Sequence, residues 1–182
     1  MNEYDMSPNF VEEAMDRLHP LFGKDAKRAK PSIAILRTAI ANWISPDAPW
    51  SVLKGQYVLD IASGSLASEY PPWFSRTCAV FGAQVFSVDV KPQEGVDARL
   101  LHWVSADVIQ TVISGGLRSI PILSGRTFDL IHSHRFVGSN PDFDALRVLS
   151  ARGVQLDDFR EKFLRQAYDL LAPDGYMDVD IR

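Results

Sequence analysis

The sequence predicts an α/β fold in which helices cover both faces of a doubly wound, mostly parallel sheet. Short apolar runs of the length of buried strands recur from residue 56 onward, and helical or irregular stretches separate them. Strands that alternate with helices in this way are typical of parallel sheets with right-handed helical crossovers. Two of the runs also end in an aspartate, which is unusual for a buried strand. The predicted strands are 56–61, 84–88, 100–104, 128–132 and 176–181.

Two helices are predicted in front of the sheet. Residues 1–50 would therefore form an N-terminal helical cap, and residues 51–182 the α/β core of what is overall a single compact domain. Pro71 and Pro72 cannot both lie inside a regular helix, so the regular part of the helix after the first strand is expected to begin near Pro72. The predicted helices are 7–18, 31–44, 67–81, 141–149 and 156–171.

The composition is that of an ordinary globular protein, with 46% hydrophobic and 23% charged residues. A chain of 182 residues can bury one full core and has little room for a second. The net charge is −4 and the one basic cluster, 24–30, is interpreted as a solvated helix face, so no nucleic-acid partner is expected. The single cysteine, Cys78, excludes an intrachain disulfide and a cysteine-based zinc site. We find no signal peptide and no membrane-spanning run, and therefore expect a cytoplasmic protein without a membrane partner.

The first predicted strand ends in a carboxylate, Asp60, and then breaks into the small residues Ala62, Ser63 and Gly64. A buried acid at a strand tip is costly unless a donor or a positive charge needs it, and small residues let a turn approach a ligand closely. The second strand also ends in an acid, Asp89. Acids at two adjacent strand tips predict a site for a nucleoside-bearing cofactor. Asp60 could instead cap the turn.

Five motifs occur in order along the chain, each weak alone and more informative together. They are 58–66, 88–92, 104–108, 128–134 and 170–176. Their order and spacing resemble those of class I S-adenosylmethionine-dependent methyltransferases, from about Lys54 to the end of the sequence. The resemblance implies a Rossmann-like fold, S-adenosyl-L-methionine as the cofactor, and an enzyme that methylates a small molecule.

The resemblance also implies roles for residues of these motifs. Asp89 would bind the ribose hydroxyls, Asp107 with Ala106 would bind the adenine, and the first turn would bind the amino-acid end of the cofactor. Asp107 could also be the N-cap of the helix that follows, and the two roles are compatible. The implied cofactor-binding residues are Asp60, Ala62, Ser63, Gly64, Asp89, Val90, Ala106, Asp107 and His132.

The chemistry of the first turn favours this cofactor over a dinucleotide. A carboxylate accepts two hydrogen bonds from a ribose diol and suits the sulfonium and ammonium groups of the cofactor, whereas it repels a pyrophosphate. Nicotinamide-binding folds carry Gly-x-Gly-x-x-Gly directly after the strand, and only Gly64 is present here. A nicotinamide-dependent oxidoreductase is therefore the weaker alternative.

Two positions depart from the glycines of the family's first turn. Ala62 stands at the first glycine position and Leu66 at the third. Alanine costs little there if its φ stays negative, whereas Leu66 could narrow the approach to the methionine moiety. These departures keep a second interpretation open: a non-catalytic module with a degenerate methyltransferase fold that binds a nucleoside or a partner protein.

His132 and His134 are alternate residues of the fourth strand, so their side chains point to the same face of the sheet. Such a pair could supply a general base or two metal ligands, but the motif holds no third ligand and we expect no metal. We select His134, and then His132, to orient the substrate or remove its proton; a core position is the alternative. Methyl transfer is an in-line attack in which positioning supplies much of the catalysis. Asp129, at the opposite end of this strand, is interpreted as structural.

The sheet of this family continues with a sixth strand and an antiparallel seventh, whereas this sequence ends at Arg182, in the fifth predicted strand. The strand 176–181 alternates apolar and polar residues, which fits a face without a covering helix. A natural minimal form, a homodimer through this exposed edge strand, and a truncated chain are the three expectations.

Overall fold

A five-stranded sheet forms the centre of the fold in a computed structural model, which describes residues 8–64, 71–133, 136 and 143–179. Its strands are β1 (Tyr57–Ile61), β2 (Gln84–Asp89), β3 (His102–Ser105), β4 (Phe128–Ser133) and β5 (Leu171–Val179). They lie in the order β3-β2-β1-β4-β5, and every neighbouring pair is parallel. The predicted α/β class with a parallel sheet is confirmed.

The helices precede the sheet and connect its strands. They are α1 (Pro8–Phe22), α2 (Lys30–Trp43), α3 (Trp73–Val80), α4 (Asp97–Leu100), α5 (Val108–Ser114), α6 (Phe143–Ala151) and α7 (Leu156–Tyr168). The first helix continues past the predicted end at Leu18 to Phe22, because the left-handed residue that ends it is Gly23, with φ of +55°. The helix α3 begins at Trp73, directly after Pro72, which confirms the predicted start of its regular part. In the described ranges, no helix has the length and apolar character needed to cross a bilayer.

Each face of the sheet carries its own hydrophobic core. Val58 and Leu130 belong to a cluster with α1, α2 and α3, whereas Leu59 and Ile131 belong to a cluster with α5, α6 and α7. Consecutive strand residues point to opposite faces, so one apolar run supplies both cores. The helix α3 therefore covers the face to which the even-numbered residues of β1 and β4 point.

The fifth strand begins earlier than predicted. The preceding helix was expected to reach Leu171 but ends at Tyr168, and the predicted turn 172–175 lies within β5. The pairing with β4 shifts its register just after Phe128, so the intervening residues of β5 bulge. Gly175 permits the close approach, because a Cβ there would lie 2.9 Å from the carbonyl oxygen of Phe128. In the described sheet β5 is an edge strand, and a homodimer through it stays a prediction.

The strand order places a crevice beside β1. The chain moves from β1 outward to β2 and β3, and then returns to β4 on the opposite side of β1. Ligands of open α/β sheets lie outside the carboxyl ends of the strands at such a reversal. The aspartates at the ends of β1 and β2 stand beside this position.

Candidate functional site

Four polar residues form a row across the sheet near the carboxyl ends of the strands. Asp60 of β1 pairs in register with Ser87 of β2 on one side and with His132 of β4 on the other, and His132 pairs with Asp178 of β5. Directly paired residues of neighbouring strands point to the same face, which here is the face covered by α3. We call these four residues the polar row.

Asp60 lies beneath α3 and is only 2% exposed. Its Oδ2 accepts a hydrogen bond of 2.6 Å from the Ser75 hydroxyl of α3. Burial raises the pKa of this carboxyl and the negative charge of Asp89 adds to the effect, while His132 and the Ser75 bond act in the opposite direction. The residue at the strand tip is therefore held by the helix above it.

His132 is held from two sides. Its Nδ1 lies 3.0 Å from Asp178 Oδ2, so the carboxylate accepts the Nδ1–H. Its ring stacks on Phe74 of α3, with centroids 3.6 Å apart and planes 8° from parallel. These contacts fix the plane and the orientation of the imidazole, and the ring is buried.

The turn after β1 contains two residues in the left-handed region. Ala62 has φ of +58° and Gly64 has φ of +81°, and Ala62 is the one non-glycine residue with positive φ in the described ranges. The condition that alanine keep a negative φ is therefore not met. The Ala62 N–H donates to the Val88 carbonyl oxygen at 2.8 Å, and the left-handed conformation of Ala62 turns the next N–H, that of Ser63, toward the same oxygen at 3.4 Å. A left-handed alanine costs about 1–2 kcal/mol, so neighbouring contacts must hold the turn.

Asp89 brings the end of β2 to this turn. Its Oδ2 accepts a hydrogen bond of 2.9 Å from the Gly64 N–H, and its Oδ1 accepts one of 3.1 Å from the Lys91 N–H. The next residue, Val90, is 64% exposed and places a large apolar side chain at the rim of the crevice. The acids at both strand tips and the small-residue turn are thus brought together.

Two further contacts support the turn, and the sequence carried no signal for either. The hydroxyls of Ser63 and Ser87 lie 2.6 Å apart. The Gln93 Nε2 donates a hydrogen bond of 2.6 Å to the Gly64 carbonyl oxygen. Ser87, Gln93 and, in the polar row, Asp178 were missed because their partners are distant in the sequence.

Asp107 is the N-cap of α5, which confirms the alternative role predicted for it. Its Oδ1 accepts a hydrogen bond of 2.9 Å from the Gln110 N–H, and its Oδ2 accepts one of 2.9 Å from Arg152. Burial raises the pKa of this carboxyl, but the bonds from Arg152 and Gln110 outweigh it, and the pKa is lowered. The preceding Ala106 N–H donates to the Asp89 carbonyl oxygen at 2.8 Å, so this segment lies beside the end of β2.

Two residues singled out in the sequence, His134 and Leu66, lie outside the described residues. Within the described ranges, no group of three or more histidine, cysteine, aspartate or glutamate side chains could hold a metal ion. Cys78 is fully buried, and burial raises the pKa of its thiol. Asp129 accepts a hydrogen bond from the Tyr57 N–H at the opposite end of the sheet, so its structural interpretation is confirmed.

No protein-family model and no curated protein matches the chain. Among solved structures, a SAM-dependent methyltransferase from Agrobacterium tumefaciens is 17% identical, with a TM-score of 0.42; the match covers 85% of this chain and 43% of that one. The magnesium protoporphyrin IX methyltransferase from Synechocystis PCC 6803, with bound SAH, is 15% identical, with a TM-score of 0.40 and coverage of 89% and 64%.

A third similar structure is the MycE methyltransferase of the mycinamycin biosynthetic pathway, in complex with Mg, SAH and mycinamycin VI. It is 13% identical, with a TM-score of 0.42, and the match covers 92% of this chain and 46% of that one. The chain spans between 43% and 64% of the length of the three structures. All three of these proteins are methyltransferases.

Proposed function

We propose that the chain binds S-adenosyl-L-methionine and transfers its methyl group to a small molecule. The observation that carries the proposal is the contact between Asp89 and the turn after β1. The Asp89 carboxylate accepts the Gly64 N–H beside the point where the strand order reverses. A carboxylate at this point suits a ribose diol and disfavours the pyrophosphate of a dinucleotide.

Asp89 keeps the hydrogen-bonding capacity that a ribose requires. An ionised carboxylate offers about four lone-pair sites, and the Gly64 and Lys91 N–H groups use one on each oxygen. The remaining sites would accept the two ribose hydroxyls. The exposed side chain of Val90 would pack on the adenine ring, which would remove an apolar surface from water.

The adenine edge is proposed to lie against Ala106 and Asp107. The Ala106 N–H holds this segment to the Asp89 carbonyl oxygen, so a base attached to a ribose at Asp89 would reach it. The Asp107 carboxylate accepts hydrogen bonds from the Gln110 N–H and from Arg152, and the Ile109 N–H also acts on it. An ionised carboxylate offers about four lone-pair sites, so one would remain for the adenine amino group.

The amino-acid end of the cofactor is proposed to lie at the turn formed by Ala62, Ser63 and Gly64, with Asp60 behind it. Asp178 accepts the Nδ1–H of His132, Asp60 pairs in register with His132, and Asp89 lies near enough to Asp60 for its negative charge to raise the pKa of that carboxyl. An excess of carboxylates gives a field that favours a cationic ligand, as a sulfonium and an ammonium group would be.

The cofactor would supply an electrophilic methyl group, and the chain would supply the position of the acceptor. His134 and His132 are proposed to orient that acceptor or to take the proton that it loses. Asp178 accepts the Nδ1–H of His132, and this bond fixes the orientation of the ring. Holding the acceptor in line with the methyl group would supply much of the rate.

Calorimetric titration of the purified chain with S-adenosylhomocysteine tests this proposal, with NADH as the control ligand. We expect micromolar binding of S-adenosylhomocysteine and no binding of NADH. Binding of NADH alone would favour the nicotinamide-dependent alternative. If neither ligand binds, the proposal is contradicted and the non-catalytic module is favoured. The left-handed Ala62, where the family's turn has glycine, is the feature of this chain that supports that alternative.

A further inference from the structure

Gln93 lies on the loop between β2 and α4, and its side chain is buried although the loop is at the surface. It is 4% exposed, whereas the residues on either side of it are exposed. Burying a side-chain amide costs free energy unless hydrogen bonds offset the loss of water. The loop therefore turns one polar side chain inward to make a particular contact.

That contact is with the backbone of the turn after β1. The Gln93 Nε2 donates to the Gly64 carbonyl oxygen at 2.6 Å and lies 3.4 Å from the Ser87 hydroxyl. The Gly64 N–H is bound by Asp89 at the start of the same loop. Both backbone polar groups of Gly64 are therefore bound from the segment 89–93: the N–H by Asp89 and the carbonyl oxygen by Gln93.

The turn needs such support because its conformation is strained. Ala62 and Gly64 both have positive φ, and a left-handed alanine is disfavoured by about 1–2 kcal/mol. A backbone of this kind persists when surrounding contacts over-determine it. Only the Nε2 of the Gln93 amide makes hydrogen bonds in the described part of the chain, because its Oε1 has no partner there. Loss of the donor would therefore release the Gly64 carbonyl.

The loop that carries Gln93 is itself anchored at its far end. Asp97, the first residue of α4, accepts two hydrogen bonds of 2.7 Å from Arg76 of α3. Both side chains are almost completely buried, at 2% and 0% exposure. Gln93 thus lies between two fixed points, Asp89 and Asp97, and can hold the turn without moving away from it.

We propose that Gln93 is a positioning residue for the amino-acid end of the cofactor. This inference rests on the proposed function, which places that end of S-adenosylmethionine at the turn 62–64. Gln93 acts by keeping the Gly64 peptide in the orientation that the turn presents to the ligand. The adenosine moiety, held by Asp89 and by the segment around Asp107, does not depend on Gln93.

Two ligands that differ only in the amino-acid end test the inference. S-adenosylhomocysteine carries that end, and 5′-methylthioadenosine lacks it. We expect Gln93→Met to weaken binding of S-adenosylhomocysteine about tenfold, the effect of losing one hydrogen bond, and to change binding of 5′-methylthioadenosine by less than about twofold. Gln93→Leu also removes the donor and introduces no group that can take up a proton, so it should give the same selectivity and carries the test if the methionine variant fails to fold.

Gln166 is a matched control, because it also ties backbone groups together but does so on the opposite face of the sheet. Its Nε2 donates to the Val112 carbonyl oxygen and its Oε1 accepts the Leu117 N–H. Gln166→Met should leave both affinities within about twofold. Equal losses for both ligands in a Gln93 variant, or no loss in a folded one, would overturn the inference alone. A wild-type chain that binds neither ligand would overturn the proposed function and the inference with it.

Discussion

At the scale of the residue, the candidate site depends on carboxylates whose surroundings differ. Asp60 is buried under α3 and its pKa is raised, first by burial, whereas Asp107 is half-exposed and its pKa is lowered by Arg152 and the Gln110 N–H. Asp89 has intermediate exposure and accepts one backbone N–H on each oxygen. The three residues are of one type, and their surroundings give them different roles: Asp60 supports the sheet, whereas Asp89 and Asp107 are open to a ligand.

The raised pKa of Asp60 predicts a pH-dependent effect on stability. The folded chain keeps a proton on Asp60 at pH values where the unfolded chain has lost it. The contribution of Asp60 is thus fully present below the ordinary carboxyl pKa, about 4, and is lost as the pH rises through the raised pKa. Asp60→Asn has no such proton to lose. We expect its free energy of unfolding, relative to that of the wild type, to increase as the pH rises from about 4 toward neutrality.

Denaturant unfolding of both proteins at a series of pH values measures this difference. Ser75→Ala serves as a companion variant, because it removes the hydrogen bond to Asp60 and leaves the carboxyl in place. A difference between wild type and Asp60→Asn that stays constant with pH would contradict the raised pKa.

At the scale of the element, a buried ion pair joins α3 to α4. The Arg76 guanidinium donates to both oxygens of Asp97 and lies 4.3 Å and 4.2 Å from the ring centroids of Phe22 and Trp73. These contacts connect the helix over the polar row to the end of the loop that carries Gln93. The α3 helix is thereby held by α1, by the sheet and by the β2 loop.

Breaking this ion pair should cost far more than breaking a surface pair. Asp97→Asn leaves the Arg76 charge buried with one carboxylate fewer, and we expect the free energy of unfolding to fall by about 3–5 kcal/mol. Adding Arg76→Met to that variant should restore part of the loss. The control is Glu161→Gln, which breaks an exposed pair with Arg165 and should cost less than about 1 kcal/mol. Chemical denaturation measures all four proteins, and an equally small loss for Asp97→Asn would show that the pair is not needed.

The N-cap of α5 allows the structural role of Asp107 to be separated from its proposed ligand role. Serine is also a good N-cap, so Asp107→Ser should lower the free energy of unfolding by less than about 1 kcal/mol. The same change removes the carboxylate proposed to bind the adenine amino group, and affinity for 5′-methylthioadenosine should fall about tenfold. Calorimetry and denaturation on one sample measure both effects. Unchanged affinity would leave Asp107 as a helix cap alone.

At the scale of the whole molecule, the centre of the sheet could be predicted because β1, β2 and β4 are short apolar runs buried on two faces. The alternation of Val58 and Leu59 between two cores explains why such runs are continuous and not alternating. The start of β5 could not be predicted in the same way, because the segment before Tyr176 contains Pro173 and Gly175 and its pairing depends on a bulge opposite β4.

The same reasoning separates the parts of the site that the sequence could and could not predict. Asp89 is a strand-tip acid, and its position follows from the strand that precedes it. The partner of Gln93 is 29 positions away and that of Arg76 is 21 positions away, so neither contact leaves a local pattern in the sequence. The hydrogen bonds from the Ala62 and Ser63 N–H groups to the Val88 carbonyl oxygen likewise join residues that are distant in the sequence. Contacts between segments that only the folded sheet brings together cannot be predicted from periodicity or motif spacing.

The central claim is that the carboxylate of Asp89 holds the cofactor, and titration of Asp89→Ala with S-adenosylhomocysteine tests it most directly. Asp16→Ala, which removes an exposed acid of α1, is the control. We expect Asp89→Ala to fold and to lose about a hundredfold in affinity, the effect of two charge-assisted hydrogen bonds, while Asp16→Ala binds as the wild type does. An Asp89→Ala protein that binds normally, or that unfolds outright, would contradict the account and make Asp89 a structural residue.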